Sequence, residues 1–330
     1  MSLVLGIESS CDDTAVALVR DGREILASTT ATQAIHRQFG GVVPELASRD
    51  HLRRVLPALR ATLEDAEMCL SDVDAIAVTY GPGLVGSLLV GVSFARGLSL
   101  ALGTPTIAIN HLEAHLLVHC LHEDVISWPA LGLLVSGGHT ELVQMNGVGN
   151  YKILGATRDD AAGEAFDKVG KLVGLPFPAG PHIDRLAAQG DPKAIDFPRA
   201  WLKPRGNLDF SFSGLKTAVS EYVRKHPVTD ENLADLLASF QQAIVDVLVK
   251  KTAIAARANN IDRVVIGGGV AANRQLRSSL ASALAPNARL VTSPSELCTD
   301  NGVMVAVAGE LALRSGHAVA LDNAVPNLPL

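Results

Sequence analysis

Apolar, β-branched runs broken by small polar turns organise the chain. Leu3-Val4-Leu5-Gly6-Ile7 leads through Glu8-Ser9-Ser10-Cys11-Asp12-Asp13 into Thr14-Ala15-Val16-Ala17-Leu18-Val19, the pattern of a hairpin. The design returns at Leu131–Val143, where an apolar run meets Ser136-Gly137-Gly138 and leaves as another apolar run. Two such hairpins predict a duplicated α/β architecture, each lobe pointing one turn into a shared cleft. Small turn residues let backbone N–H groups come close to phosphate oxygens, so each turn is a candidate phosphate cradle. Between the hairpins, Phe39–Pro44 interrupts the pattern before a basic-sided amphipathic helix at Glu45–Leu56. A strand over Asp74–Thr79, a Gly81-Pro82-Gly83 turn and a helix over Leu84–Leu102 follow. Thr106–Ile109 then reads as a strand handing over to a helix across residues 111–122 that is capped by Asn110. This alternation predicts sheets covered by helices, with ligands at strand ends.

The 330 residues, 48% of them apolar, suit two domains. A net charge of −6 leaves any RNA binding to a local basic patch or to a partner. Trp201, Lys203 and Arg205 in the loop Arg199–Asp209, and the arginines of Glu45–Leu56, are either such a patch or an ordinary solvated face. No apolar stretch is read as reaching about 18 residues, and no leader is evident, which points to the cytoplasm. Cys11, Cys69, Cys120 and Cys298 show no paired spacing and read as reduced thiols.

Helical spacing puts His111 and His115 one turn apart on one face, where both imidazoles can share a metal ion. A third ligand has to come from elsewhere, and the polar turn Cys298–Gly302 is the best source; the bland alternative is two partly buried helix histidines. Thr157–Val173 reads as a helix with Asp160, Glu164, Asp167 and Lys171 on one face. That stripe is either solvated or offers a carboxylate to a ribose, with Asp167 the preferred member. Phe177–Asp184 is a rigid turn into a helix, where Gly180 would let a base or sugar lie against the backbone. A strand over Arg263–Ile266, a Gly267-Gly268-Gly269 turn and a helix over Val270–Leu284 fit G-x-G-x-x-A, a weak dinucleotide signal. A nicotinamide site would want an acid near Val291-Thr292, where none stands, so the turn is read as an adenine site with Asn273 supplying amide hydrogen bonds.

The segments GIESSCDDTAVALV, GGVVPELASRDH, GPGLVGSLLVG, NHLEAHLL, LLVSGGHTELV, DDAAGEAFDKVGKLVGLPFPAGPHIDRLA, DFSFSGLKTA, GGGVAANRQLR and CTDNGVMVA together resemble the TsaD-type tRNA threonylcarbamoyladenosine transferases, a family once described as sialoglycoprotein endopeptidases. The resemblance implies an actin-like, two-lobed fold related to sugar kinases and heat-shock ATPases, with a duplicated mixed-sheet core and a central nucleotide cleft. One lobe would span residues 1–110 with about 303–330, the other 111–302, which would carry nucleotide and metal elements. It further implies one divalent metal ion, iron(II) foremost or zinc, on His111, His115 and Asp300. The adenylate, threonylcarbamoyl-AMP or ATP/ADP in its place, would sit on Leu134, Val135, Ser136, Gly137, Gly138, Asp167, Gly180, Asp184 and Asn273. Glu8, Ser10 and Asp12 are assigned positioning or proton transfer.

The implied reaction moves the threonylcarbamoyl group from threonylcarbamoyl-AMP, supplied by a separate TsaC-type enzyme, to the exocyclic amine of the adenosine after the anticodon. The implied partners are the tRNA anticodon stem-loop, a TsaB-like paralogue and a TsaE-like ATPase, with no membrane. The chain closes on Asp322–Leu330 rather than on the basic, aromatic tail frequent in the family. Two other readings stand beside the transferase: a metalloprotease, and a nucleotide-binding scaffold without catalysis. Glu113 bears on the first, because it lies about 200° around the helix from either histidine.

Overall fold

The computed structural model describes residues 2–122, 127–202 and 206–330; Lys203 and Arg205 lie outside the described residues. Its strands are β1 (Leu3–Glu8), β2 (Asp13–Arg20), β3 (Glu24–Thr32), β4 (Ala75–Gly81), β5 (Thr106–Asn110), β6 (Ala130–Val135), β7 (Thr140–Gly147), β8 (Asn150–Ala156), β9 (Arg263–Gly267), β10 (Arg289–Thr292) and β11 (Val319–Ala320). Its α-helices are α1 (Pro44–Asp65), α2 (Val85–Leu102), α3 (His111–Leu117), α4 (Ala162–Leu172), α5 (Gly180–Ala187), α6 (Ser213–Lys225), α7 (Asp230–Ala258), α8 (Arg274–Leu284) and α9 (Gly302–Ser315).

Two compact units result, Met1–Ile126 with Gly147–Tyr151 and Thr299–Leu330, and Ser127–Asn146 with Lys152–Cys298. The boundary drawn at residue 110 is thereby displaced. Helix α3 packs against α9, so both histidines and Asp300 belong to the first unit rather than the second.

In the first unit the sheet runs β11-β5-β4-β1-β2-β3. β1 pairs antiparallel with β2 and parallel with β4, and β4 parallel with β5. β1, β2, β4 and β5 are buried on both faces, which is why they read as continuous apolar runs. Large side chains on one face, Leu5, Ile7, Val16, Leu18, Ile76 and Val78, pack with Val55, Leu59 and Ala95 of α1 and α2. The opposite face is paved with small residues, and α9 lies directly on it. A Cβ at Gly6 would stand 2.2 Å from the Gly302 carbonyl oxygen and 2.6 Å from the Ala306 nitrogen, and one at Gly309 would stand 2.5 Å from Ala77 Cβ.

The second unit repeats the plan. Its sheet runs β10-β9-β6-β7-β8, with β6 antiparallel to β7 and parallel to β9, and β9 parallel to β10. Position for position this matches β5-β4-β1-β2-β3, so the duplication read from the two hairpins is present. Helices α4 to α8 complete this unit, and α7 carries Phe240, Ile244 and Leu248 into its core. Phe240 meets Phe166 of α4 edge to face at 5.4 Å between centroids.

Several boundaries differ from the sequence reading. The helix through 111–122 is α-helical only to Leu117 and tightens into a 3₁₀ turn over Val118–His122. The helix at 157 begins at Ala162, and that at 270 is a 3₁₀ turn followed by α8, with Asn273 as its N-cap. Two helices, α2 and α7, are long and apolar enough to cross a bilayer by length and composition, contrary to the expected absence of such a stretch; Gly, Ser and Arg96 in α2 disguised it. α7 is mostly buried, and α2 packs on α1 and β4.

The contact between Gly6 and α9 generates a prediction. Gly6→Ala forces a methyl group into helix backbone and should lower stability by about 2–3 kcal/mol, read as an earlier urea midpoint at unchanged m-value.

Candidate metal centre and nucleotide turns

β5 ends at Asn110, whose side-chain oxygen accepts from the Leu112 and Glu113 amides and so starts α3. The rise of one turn brings the His111 and His115 rings edge to face, centroids 4.7 Å apart. Asp300 arrives from the turn before α9, where Asn301 caps that helix through the Met304 amide. Asp300 Oδ1 lies 3.1 Å from His115 Nε2 and 3.6 Å from His111 Nε2. One ligand atom from each of the three residues falls within 4.8 Å of the others, and this is the one such cluster among the described residues. The donor set fits a metal ion: both Nε2 atoms converge on a carboxylate oxygen. Outside the cluster, His111 Nδ1 is already held, 3.1 Å from Glu8 Oε2 and 3.2 Å from Ser10 Oγ.

The electrostatics follow from burial and crowded charge. Burial works against a charged His111, but the carboxylates of Glu8 and Asp300 outweigh it and raise the ring to about 9. Burial likewise opposes ionisation of Asp300, yet His111 and His115 hold it down at about 2. Glu8 is lowered because His111 overcomes its burial. Asp12 is raised by burial, with the charge of Asp300 adding to it. Asp13 is pushed up to about 7 by burial first and Asp300 next, and its Oδ1 is buried without a hydrogen bond. Glu8 and Asp300 thus stand against the two imidazoles while Asp12 and Asp13 add negative charge felt at Asp300, a surplus that a bound cation would relieve.

His51 of α1 went unrecognised in the sequence, inside a helix read for its basic side. It is fully buried, its Nδ1 2.7 Å from Thr14 Oγ1 and its Nε2 3.0 Å from the Cys11 carbonyl, and it braces the turn holding Ser10 and Asp12. Thr79 was also missed; its hydroxyl donates to Glu8 Oε2 at 2.6 Å. The α1 arginines expected on a solvated or RNA-facing side form exposed pairs, Arg49 with Glu45 and Arg54 with Asp50. Glu113 accepts from Tyr151 Oη at 2.6 Å and from the Gly149 amide at 3.1 Å, so its carboxylate is spent on the turn between β7 and β8.

The second unit gathers the other predicted residues. Leu134 and Val135 end β6, and Ser136 follows. The Ser136 carbonyl accepts from the Gly163 amide at the start of α4, and a Cβ at Gly268 would stand 2.5 Å from the Val135 oxygen, so three turns crowd together there. Within that crowd the Cα faces of Gly137 and Gly138 meet nothing within 4 Å, nor does that of Gly180. Ser136 Oγ takes the His139 amide at 3.1 Å and the Gly138 amide at 3.4 Å, which turns two N–H groups towards the serine itself. Asp167 accepts from the Ala179 amide at 2.7 Å and so anchors the loop that presents Gly180. Asp184 pairs with Arg274 at 2.8 Å. Asn273 caps α8 through Leu276 and donates to Gln241 at 2.8 Å, which takes up a bond at each end of the amide read as an adenine partner.

A profile of the family described as TsaD, tRNA N6-adenosine threonylcarbamoyltransferase, matches residues 24–307. The chain belongs to the TsaD family. A curated relative from Anaeromyxobacter dehalogenans is 53% identical over 331 residues, covering 99% of each chain, and one from Symbiobacterium thermophilum is 52% identical over 332 residues, covering 99% of this chain and 97% of its own. Both carry the name tRNA N6-adenosine threonylcarbamoyltransferase, and this TsaD chain is accordingly a tRNA-modifying transferase. Among solved structures it is similar to full-length HypF, with TM-score 0.65 at 13% identity over 96% of this chain and 47% of HypF. It is also similar to component A of the Acidaminococcus fermentans (R)-2-hydroxyglutaryl-CoA dehydratase, with TM-score 0.56 at 16% identity over 93% and 97%. These distant likenesses bear on the fold alone, which is the actin-like one expected.

Asp13 generates a prediction for the metal-free chain. A carboxyl whose pKa rises on folding costs stability only where it must ionise. Asp13→Asn should therefore stabilise nothing below about pH 4, gain progressively up to about 7, and level off above it at up to about 4 kcal/mol. Denaturant titrations across that range read the gain.

Proposed function

We propose that this chain transfers a threonylcarbamoyl group from threonylcarbamoyl-AMP to the exocyclic amine of the adenosine following the anticodon, in tRNAs reading codons that start with A. The observation that carries the reading is the convergence of His111, His115 and Asp300 in a chain about half identical, end to end, to named transferases. Two imidazoles and one carboxylate suit iron(II), with zinc the alternative. A metal ion held by these three residues would supply Lewis-acid polarisation of a carbonyl or phosphate oxygen of the donor.

The chain's own residues supply the rest. The amine nitrogen forms the new bond to the carbamoyl carbon, the carbon–oxygen bond to AMP breaks, and the amine loses a proton. An aryl-type amine is a weak nucleophile, so the leaving group has to be stabilised. Backbone at Gly137 and Gly138 presents an open face for the AMP phosphate, and Asp167 steadies the approach to Gly180. Asp184 and Asn273 hold the framework of that site. Glu8, Ser10 and Asp12 border the metal cluster. With a net charge of −6 the chain relies on partners, a TsaB-like paralogue and a TsaE-like ATPase, to complete a tRNA surface in the cytoplasm.

A protease reading lacks a base. In H-E-x-x-H sites the glutamate follows the first histidine and reaches metal-bound water; Glu113 instead serves Tyr151 and Gly149.

The decisive assay incubates the chain with tRNA, threonine, bicarbonate, ATP and the partner proteins, and reads tRNA nucleosides by mass spectrometry. Threonylcarbamoyladenosine should form with the wild type and vanish with His111→Ala, which should also lose its metal by elemental analysis. Glu113→Ala should keep both metal and transfer; peptide hydrolysis by the wild type that disappears in Glu113→Ala would establish the peptidase instead. Gly137→Val, placed where no protein atom is met, should fold normally and lose at least about tenfold in affinity for a non-hydrolysable adenylate, as calorimetry would show.

A further inference from the structure

We propose that Glu8 is the positioning residue for His111: its buried carboxylate fixes the ring so that Nε2, and not Nδ1, faces Asp300 and His115. This rests on the metal reading above and adds to it a residue outside the ligand set.

Glu8 closes a strand that is otherwise apolar, and its side chain is fully buried. A buried carboxylate persists only when its lone pairs are satisfied. Here three separate pieces of chain satisfy them. Oε1 accepts the Ser10 amide at 2.5 Å, from the turn just beyond β1. Oε2 accepts the Thr79 hydroxyl at 2.6 Å, from β4, and stands 3.1 Å from His111 Nδ1 at the start of α3.

The chemistry is directional. An ionised carboxylate only accepts, so His111 must present a proton at Nδ1. Ser10 Oγ, 3.2 Å from the same nitrogen, shares that proton without changing the outcome. A neutral ring protonated at Nδ1 carries its lone pair on Nε2, the atom 3.6 Å from Asp300 Oδ1. Thr79 matters because it anchors the oxygen that does the orienting: without it Oε2 has His111 as its sole partner. The two histidines are held unequally. Among the described residues His115 Nδ1 is buried with no hydrogen-bond partner, so burial, the edge-to-face contact with His111 and Asp300 orient that ring. Whatever outer carboxylate support the pair receives therefore passes through His111. Such support is worth about 10- to 100-fold in metal affinity at other centres.

The test uses cobalt(II) as both ligand and reporter, titrated into the metal-free full-length chain and followed by its visible absorption. Glu8→Gln keeps the shape of the side chain and should bind cobalt(II) about tenfold more weakly, Glu8→Ala up to about 100-fold. Both should alter the position or intensity of the visible bands, because the ring is no longer held at one angle. Thr79→Val should shift affinity in the same direction by less. A purely structural role for Glu8 would lower the melting temperature of the metal-free chain while leaving the affinity and spectrum of folded protein unchanged; that result in Glu8→Gln overturns the proposal even if Glu8→Ala fails to fold. His111→Ala in the same titration separates the two levels. Wild type that binds no cobalt(II) removes the metal reading and this proposal with it. Wild type that binds, His111→Ala that does not, and Glu8→Gln identical to wild type removes the proposal alone.

Discussion

The close approach of α9 to the small-residue face of the first sheet is the constraint on which the metal cluster depends. Gly6 of β1 and Gly302 and Gly309 of α9 leave no room for a methyl group, so the helix lies directly on the sheet, backbone to backbone at Gly6 and Gly302 and against Ala77 Cβ at Gly309. Contact at that distance fixes the helix along its axis as well as in depth, because interior packing tolerates little displacement. The Asn301 cap then fixes where α9 begins, and Asp300 is the residue immediately before it. Helix α3 leans on the same helix and starts at the end of β5, in the same sheet. Two short polar segments far apart in sequence are thus referred to one rigid frame, which is how a three-residue cluster can be held without any loop having to order itself.

That frame carries an electrostatic load. Glu8 and Asp300 stand against His111, Asp300 against His115 as well, and Asp12 and Asp13 feel the charge of Asp300 from partly buried positions. Removing them from water is expensive, and the attraction between Glu8 and His111 offsets it only because hydrogen bonds from Ser10 and Thr79 complete the carboxylate. Asp13, with one oxygen lacking a partner among the described residues, is pushed up to about 7 by burial first and by the charge of Asp300 next. The second unit uses a different economy. Its turns carry little charge, and what they offer is backbone uncovered by Cβ atoms at Gly137, Gly138 and Gly180.

How far the sequence disclosed this depends on what kind of contact was involved. Strands buried on both faces announce themselves as unbroken apolar runs, so β1, β2, β6, β7 and β9 were legible, and with them the duplication. β3 alternates half-exposed residues in EILASTTAT and gave no comparable signal. The pairing of His111 with His115 was legible because helical geometry is local, and Asn110 as its cap for the same reason. The turn Cys298–Gly302 was the best source of a third ligand in the sequence, but spacing carries no information across 185 positions, and the resemblance to a known family is what singled out Asp300 within it. The unit boundary failed at residue 110 because sequence shows where a strand ends but not that the next helix packs back on α9. Asn273 was read as a ligand residue, and its oxygen also caps α8: a cap and a ligand contact draw on the same residue type in the same place, so the sequence pattern does not separate them.

The same distinction decides between chemistries at α3. A pair of histidines at i and i+4 is common to metal sites that hydrolyse peptides and to sites that do not, so the pair itself selects nothing. What selects is the third residue's azimuth. A glutamate directly after the first histidine projects close to the shared face; one at i+2 projects to the far side of the helix. Glu113 occupies the far side, and its carboxylate oxygen accepts from Tyr151 and Gly149. Buried acids do approach the cluster from the near side, but they come from β1 and the turn beyond it. Glu8 reaches His111 on the Nδ1 side, away from the converging Nε2 atoms, where a carboxylate orients a ring rather than takes a proton from a ligand of the metal. The cluster therefore brings three donor atoms together with no base poised beside them on their own helix, which distinguishes it from the H-E-x-x-H arrangement.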